Sequence, residues 1–212
     1  MHILYCERIS TPYFFEPLNT VSNLAFIMAA YYSFSLIKRS NTHDPSIKLL
    51  PYVITAIGLG SMSFHSFRSE FTNYLDIIPI LIFMLLSVYT ILQKTFRNVS
   101  TVKMLFILFG IVQIASYYLF RYYIYGIVPY VITLTLLIIL GIRLYKQHGS
   151  RMVRLFVPPL LSFFVALVFR NMEFGICSSI QTGTHFLWHI FAALTTLLTV
   201  RLLVNLKINS LR

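Results

Sequence analysis

The sequence predicts an all-α integral membrane protein, a seven-transmembrane helix bundle with its N-terminus outside and its C-terminus in the cytoplasm. Three observations predict it. Hydrophobic residues make up 58% of the 212, and Asp, Glu, Lys and Arg together only 11%, where a soluble domain carries about a quarter charged residues. Apolar runs recur at close to the roughly 20 residues that a helix needs to cross the hydrocarbon, and mean hydropathy is +0.77. The basic residues, finally, collect in alternate connections. Together these exclude an ordinary soluble domain. They also give the net charge of +11, which in a soluble protein would suggest nucleic acid, a topological meaning instead. No nucleic-acid partner is expected.

The apolar windows fall at about 18–37, 49–67, 74–92, 103–120, 126–145, 152–169 and 184–204, each near spanning length. Pro51, Pro79, Pro129, Pro158 and Pro159 lie within or near span ends, where membrane helices tolerate proline. The connections are too short for a soluble domain, so residues 1–212 read as a single domain with 1–17 as an extracytoplasmic N-terminal segment. That segment lacks the basic region and small-residue cleavage site of a signal peptide, and the first span is expected to be retained.

Lys38, Arg39 and Lys48 follow the first span; Lys94, Arg97 and Lys103 the third; Arg143, Lys146, Arg151 and Arg154 the fifth; Arg201, Lys207 and Arg212 the last. These are 13 of the 17 basic residues, and only Arg8, Arg68, Arg121 and Arg170 fall on the other side. Such a bias orients the chain and requires an odd number of spans. Asn98-Val99-Ser100 matches a glycosylation acceptor, but the same rule puts it in the cytoplasm, so the match is read as chance.

This orientation brings five polar residues to one depth. Ser61 and His65 lie toward the outer end of span two, four residues apart and therefore on one helix face. Asp76 stands at the outer start of span three. His185 and His189, again four apart, open span seven. Ionisable groups within spans are costly and usually face a cavity or a partner. Imidazoles suit zinc, and three protein ligands plus water make an open catalytic site. His185 and His189 can reach one ion, with His65 as the third ligand. Asp76 could be a ligand, an orienting group or a general base, and spacing does not decide. Taken singly each has a bland reading: a histidine bonding a neighbouring helix, Asp76 as an N-cap, Ser61 bonding its own backbone. Their shared depth favours a metal site. His2, His43 and His148 lie in exposed segments or a basic loop and are given no role.

Cys6 and Cys177 share the outer side, where disulfides persist, and a bridge is expected between them. Glu7 and Glu16 share that side too. They could bind a hard cation, or equally bond Arg8, Arg170 or helix N-termini, since two carboxylates alone do not make a calcium cage.

The same residues resemble the alkaline ceramidase family, within the wider group of seven-span hydrolases that includes the adiponectin and progestin receptors. Four blocks carry the resemblance: Cys6-Glu7 with Glu16 through Asn23; Gly58 through His65; Asp76-Ile77-Ile78-Pro79; and Arg170-Asn171-Met172-Glu173 through Cys177 with His185 through His189. It implies zinc on His65, His185 and His189, catalytic roles for Ser61 and Asp76, and a Cys6–Cys177 disulfide. Eukaryotic members also hold calcium near the N-terminus. Glu7 and Glu16 match two of its carboxylates, and Tyr5 could offer a backbone oxygen. Leu4 and Ile9, however, stand where the family has oxygen-bearing side chains, which counts against calcium here. The adiponectin-receptor branch is similar in its metal constellation but has a cytoplasmic N-terminus, which the charge bias opposes.

The expected activity is zinc-dependent hydrolysis of the N-acyl bond of a ceramide-like sphingolipid within the membrane, with a membrane lipid as substrate and no obligate protein partner evident. Rival expectations are a zinc-dependent lipid esterase of the kind that remodels glycolipid anchors, a transporter, and a seven-span receptor whose metal only fixes the fold.

Overall fold

The computed structural model describes residues 5–8, 16–120 and 126–208. Eight helices follow one another: α1 (Pro17–Ser22), α2 (Leu24–Ser40), α3 (Pro45–Phe67), α4 (Glu70–Thr95), α5 (Val99–Phe120), α6 (Val128–His148), α7 (Arg151–Ile176) and α8 (His185–Ile208). With α1 and α2 counted as one span, seven are long and apolar enough to cross a membrane.

Most helices outrun their apolar windows because caps, rather than hydrophobicity, end them. The Asp44 carboxylate accepts from the Ser46 amide to start α3. A reciprocal Ser69–Thr72 capping box starts α4, which places Asp76 inside the helix and not at its cap. The Asn98 carboxamide accepts from the Ser100 and Thr101 amides at the head of α5, so the glycosylation-like triplet serves as a helix start. Asn41 and Arg68 close α2 and α3 in left-handed conformation. Pro51, Pro79, Pro158 and Pro159 lie inside their helices, and Pro129 in the first turn of α6.

The first span breaks at Asn23 for a local reason. The Asn23 amide and the Ser22 hydroxyl both donate to the Asn19 carbonyl, at 2.7 and 3.0 Å. Such side-chain bonds compete with the helical ladder. The break turns Ser22 and Asn23 toward α8.

The helices are not equally enclosed. α3 and α8 are the most buried of the seven spans and α5 and α6 the least, leaving α5 with only Val102, Phe109, Gln113 and Ser116 buried. The apolar core runs through Ile47, Leu50, Ile54, Ile57, Ile91, Leu92 and Leu203, all 2% exposed or less. Without a hydrophobic force between helices in lipid, close backbone approach supplies much of the packing, and α3 meets α4 at Gly60. A Cβ there would fall on the Leu75 carbonyl. That approach brings Ser61, the next residue, up to Asp76, the residue after Leu75.

Gly60→Ala should therefore destabilise the protein by about 1–3 kcal/mol through overpacking, read as a lowered midpoint of thermal unfolding in detergent. Gly110→Ala, whose Cβ would meet only Leu85 at ordinary contact distance, should be neutral or better.

Candidate metal centre

Three imidazoles converge at one end of the bundle. His65 comes from the last turn of α3, His185 from the first residue of α8, and His189 from one turn further on. Their exposures are 0%, 1% and 2%. Ring centroids lie 5.1 Å apart for His65–His185, 4.8 Å for His65–His189 and 4.6 Å for His185–His189. One ligand nitrogen from each lies within 4.8 Å of the other two.

The other side of each ring is held. His65 Nδ1 meets Glu16 Oε2 at 2.5 Å; donation by Nδ1–H leaves the Nε2 lone pair toward the other histidines. That Nε2 is buried with no hydrogen-bond partner. His189 Nδ1 lies 2.8 Å from the Ser22 hydroxyl, which itself donates to the Asn19 carbonyl. The Ser22 oxygen is then the acceptor from His189, and His189 Nε2 is likewise left free. His185 stacks under Tyr5 with centroids 4.0 Å apart, and its Nδ1 too is buried without a partner. Orphaned buried nitrogens are costly in an apolar interior. Three imidazoles with nitrogens free toward one another are the donor set of a zinc site, and these residues fit one.

His185 owes its position to Glu173, fully buried near the end of α7. Glu173 Oε2 accepts from the Thr184 and His185 amides, at 2.6 and 2.8 Å, and Oε1 from the Cys6 amide at 2.7 Å. One carboxylate thus caps α8, where the helix dipole favours negative charge, and ties the N-terminal segment to it. Gly183 makes room: its φ is +63°, and a Cβ there would collide with the Glu173 carboxylate. Cys6 and Cys177 form a disulfide beside this clasp, so their sulfurs are not thiolate ligands although Glu173 lies close to both.

Ser61 and Asp76 stand next to the histidines. The buried Ser61 hydroxyl is placed to donate to the Asp76 carboxylate. Both line a cavity of about 620 Å³ that His185, His189, Trp188 and Arg170 also line. The cavity continues between the helices to Val88 and Thr199. From Asp76 to Val88 is a rise of roughly 18 Å along α4, comparable with one leaflet's share of a hydrocarbon core about 30 Å thick.

The two N-terminal carboxylates, the calcium candidates of the sequence, each meet donors of the chain itself. Glu7 accepts from the Leu18 and Asn19 amides at the head of α1. Burial pushes its carboxyl above the ordinary range while those two donors pull it back. Glu16 is fully buried between His65, the Asn19 amide at 3.2 Å and the Arg68 guanidinium at 3.3 Å; burial raises its carboxyl and Arg68 lowers it. Both carboxylates are taken up by the chain's own donors, and a fixed cation already faces Glu16. Glu7 takes a helix N-terminus, one of the partners the sequence offered, whereas Glu16 pairs with Arg68, which the sequence did not single out. Leu4 and Ile9 lie outside the described residues.

Several members of this site carried no role in the sequence reading: Glu173, Arg68, Arg170, Ser22, Asn23 and the ring of Tyr5. Ionisable residues near span ends were the available signal for the first three, and the Asn19/Asn23 spacing of four for the break in the first span.

Fold and site together define a class: a seven-helix membrane protein with a buried triad of histidines and a Ser–Asp pair opening on an apolar cavity. The family model described as Ceramidase matches residues 2–211, and the chain belongs to the ceramidase family. A search of curated proteins finds no match.

Two outcomes are expected. Glu173→Gln should lower stability by about 1–3 kcal/mol, because at least one buried backbone amide then faces an NH2 group in place of an acceptor, and should reduce metal occupancy with it; melting curves and metal analysis of the purified protein measure both. Excess EGTA should leave the melting temperature unchanged, as expected where Glu7 and Glu16 already serve the chain's own donors.

Proposed function

We propose that the protein is a zinc-dependent intramembrane amidohydrolase that cleaves the N-acyl bond of ceramide-like sphingolipids, releasing a fatty acid and a sphingoid base. Its active site faces the extracytoplasmic side. Membership of the ceramidase family supports the substrate class. The observation that carries the mechanism is the convergence of three imidazoles beside the Ser61–Asp76 pair at the mouth of an apolar cavity. The crowding of Lys and Arg into alternate connections supports the sidedness.

His65, His185 and His189 hold the ion. Zinc there would supply a water of lowered pKa and polarise a carbonyl oxygen. Asp76 accepts the proton from the attacking water and returns it to the amide nitrogen as the C–N bond breaks, so one carboxylate serves as base and then as acid. At rest Ser61 donates to Asp76. Once Asp76 carries the proton, the Ser61 hydroxyl is free to donate to the oxygen on which charge develops. The acyl chain lies in the cavity between α4 and α8. No soluble lid is needed, because the substrate already resides in the bilayer.

Purified protein in detergent should release fatty acid from ceramide. His185→Ala should lose both the bound metal and this activity. Asp76→Asn should keep the metal but turn over about 10²–10⁴-fold more slowly, the usual worth of a general acid–base group. Metal bound with no turnover of lipid amides, or Asp76→Asn at the wild-type rate, overturns the proposal.

A further inference from the structure

Arg170 is the residue that the mechanism above leaves without work. It projects from α7, two turns before the helix ends at Ile176, into the same cavity that Asp76, Ser61 and the histidines line. Its guanidinium lies 5.2 Å from the centre of the Tyr130 ring and 5.0 Å from that of Trp188. The Tyr5 phenol oxygen accepts a hydrogen bond from the guanidinium. Two aromatic faces and a phenol fix the plane and position of the group without neutralising it. Its Nε is buried without a hydrogen-bond partner. The ion pairs among the described residues join Glu16 to His65 and to Arg68, and none involves Arg170.

A fixed guanidinium, charged at every accessible pH and opening on a lipid-sized cavity, is built to receive an oxyanion in its fork of donors. The reaction proposed above makes one in this place. Hydrolysis adds water across the C–N bond; the new carboxylic acid gives its proton to the released amine, leaving a carboxylate and an ammonium. The ammonium is repelled by Arg170 and the carboxylate is attracted. Near Asp76 an uncompensated carboxylate would meet like charge, and Arg170 supplies the compensation.

We propose that Arg170, seated against the rings of Tyr130 and Trp188, binds the carboxylate of a long-chain fatty acid lying in the cavity, making this the product-holding site. This rests on the hydrolase reading. It predicts that free fatty acid inhibits turnover by occupying the acyl cavity and that the amine leaves first.

Trp188 is the chain's only tryptophan, so its fluorescence reports on this site alone. Purified wild-type protein, with its metal, is titrated at mildly alkaline pH with palmitate, hexadecyl phosphate and the uncharged hexadecanol. Palmitate should saturate the signal at a concentration at least about tenfold below that of hexadecanol, as charge-assisted pairing implies. In Arg170→Gln the two should agree to within about twofold, and Arg170→Lys should retain part of the preference. Equal binding of palmitate and hexadecanol by the wild type, a comparison that needs no variant, overturns the proposal. So does a preference that survives Arg170→Gln, or phosphate bound about tenfold more tightly than palmitate, which would make Arg170 a headgroup reader instead. None of these readings requires turnover. A carboxylate preference without ceramide hydrolysis therefore sinks only the enzymatic reading, and hydrolysis without the preference sinks only this one.

Discussion

Three imidazoles gathered inside an apolar bundle converge only because each is held from behind. His65 is held by Glu16, His189 by Ser22 and His185 by the stacked Tyr5, and the rest of this end of the molecule exists to hold those three in turn. Glu16 is kept in place by Arg68 and Asn19. Ser22 faces α8 because the first span breaks at Asn23. Tyr5 is carried by a segment whose next residue is tied twice, by the Cys6–Cys177 disulfide and by the Cys6 amide on Glu173. Partners of this kind orient a metal-binding histidine and select its tautomer. They matter more in a membrane than in water, since no solvent can take up a donor that is left over.

Much of this was legible in the sequence, for a definite reason. Hydrophobicity finds helices of spanning length, and a spacing of four puts Ser61 with His65 and His185 with His189 on single faces. Charge asymmetry then implies that these faces share a depth. What the pattern could not reveal depends on contacts between segments distant in sequence. Glu173 lay beyond the last apolar window of its span, in what read as a connection. Helix α7 continues through it because three backbone amides accommodate its charge. Arg68 ends α3 in a left-handed conformation favoured for glycine or asparagine rather than arginine. Only the fold shows that this turns its guanidinium over Tyr5 and Phe64 and onto Glu16.

The uneven enclosure of the helices fits the division of labour. The imidazoles stand on α3 and α8, the most enclosed spans, where rotamers are held by packing on every side. The cavity runs instead toward α5 and α6, which bury little. In that region Gln113 bridges to Thr133 and to the Pro129 carbonyl, one of few polar ties between the two helices. An enclosed site joined to a wall of outward-facing helices suits a substrate that arrives sideways from lipid with a long chain.

Charge provides a further constraint that the fold alone does not explain. The buried groups around the histidines include four carboxylates, Glu7, Glu16, Asp76 and Glu173, against two guanidiniums, Arg68 and Arg170. Glu7 and Glu173 are each satisfied by amide dipoles at helix starts, and Glu16 has Arg68. With all six ionised, these groups would still carry two more negative charges than positive, in a medium where unbalanced charge is costly. A divalent cation on the three imidazoles would close that difference, and would do so beside Asp76, the one of the four with neither a backbone amide nor an ion-pair partner among the described residues. Nearer the N-terminus, Arg68 supplies a positive charge to Glu16. Such an ion at the histidines, together with Arg170, whose charge also reaches Asp76, would leave that carboxylate compensated on the wall of the cavity.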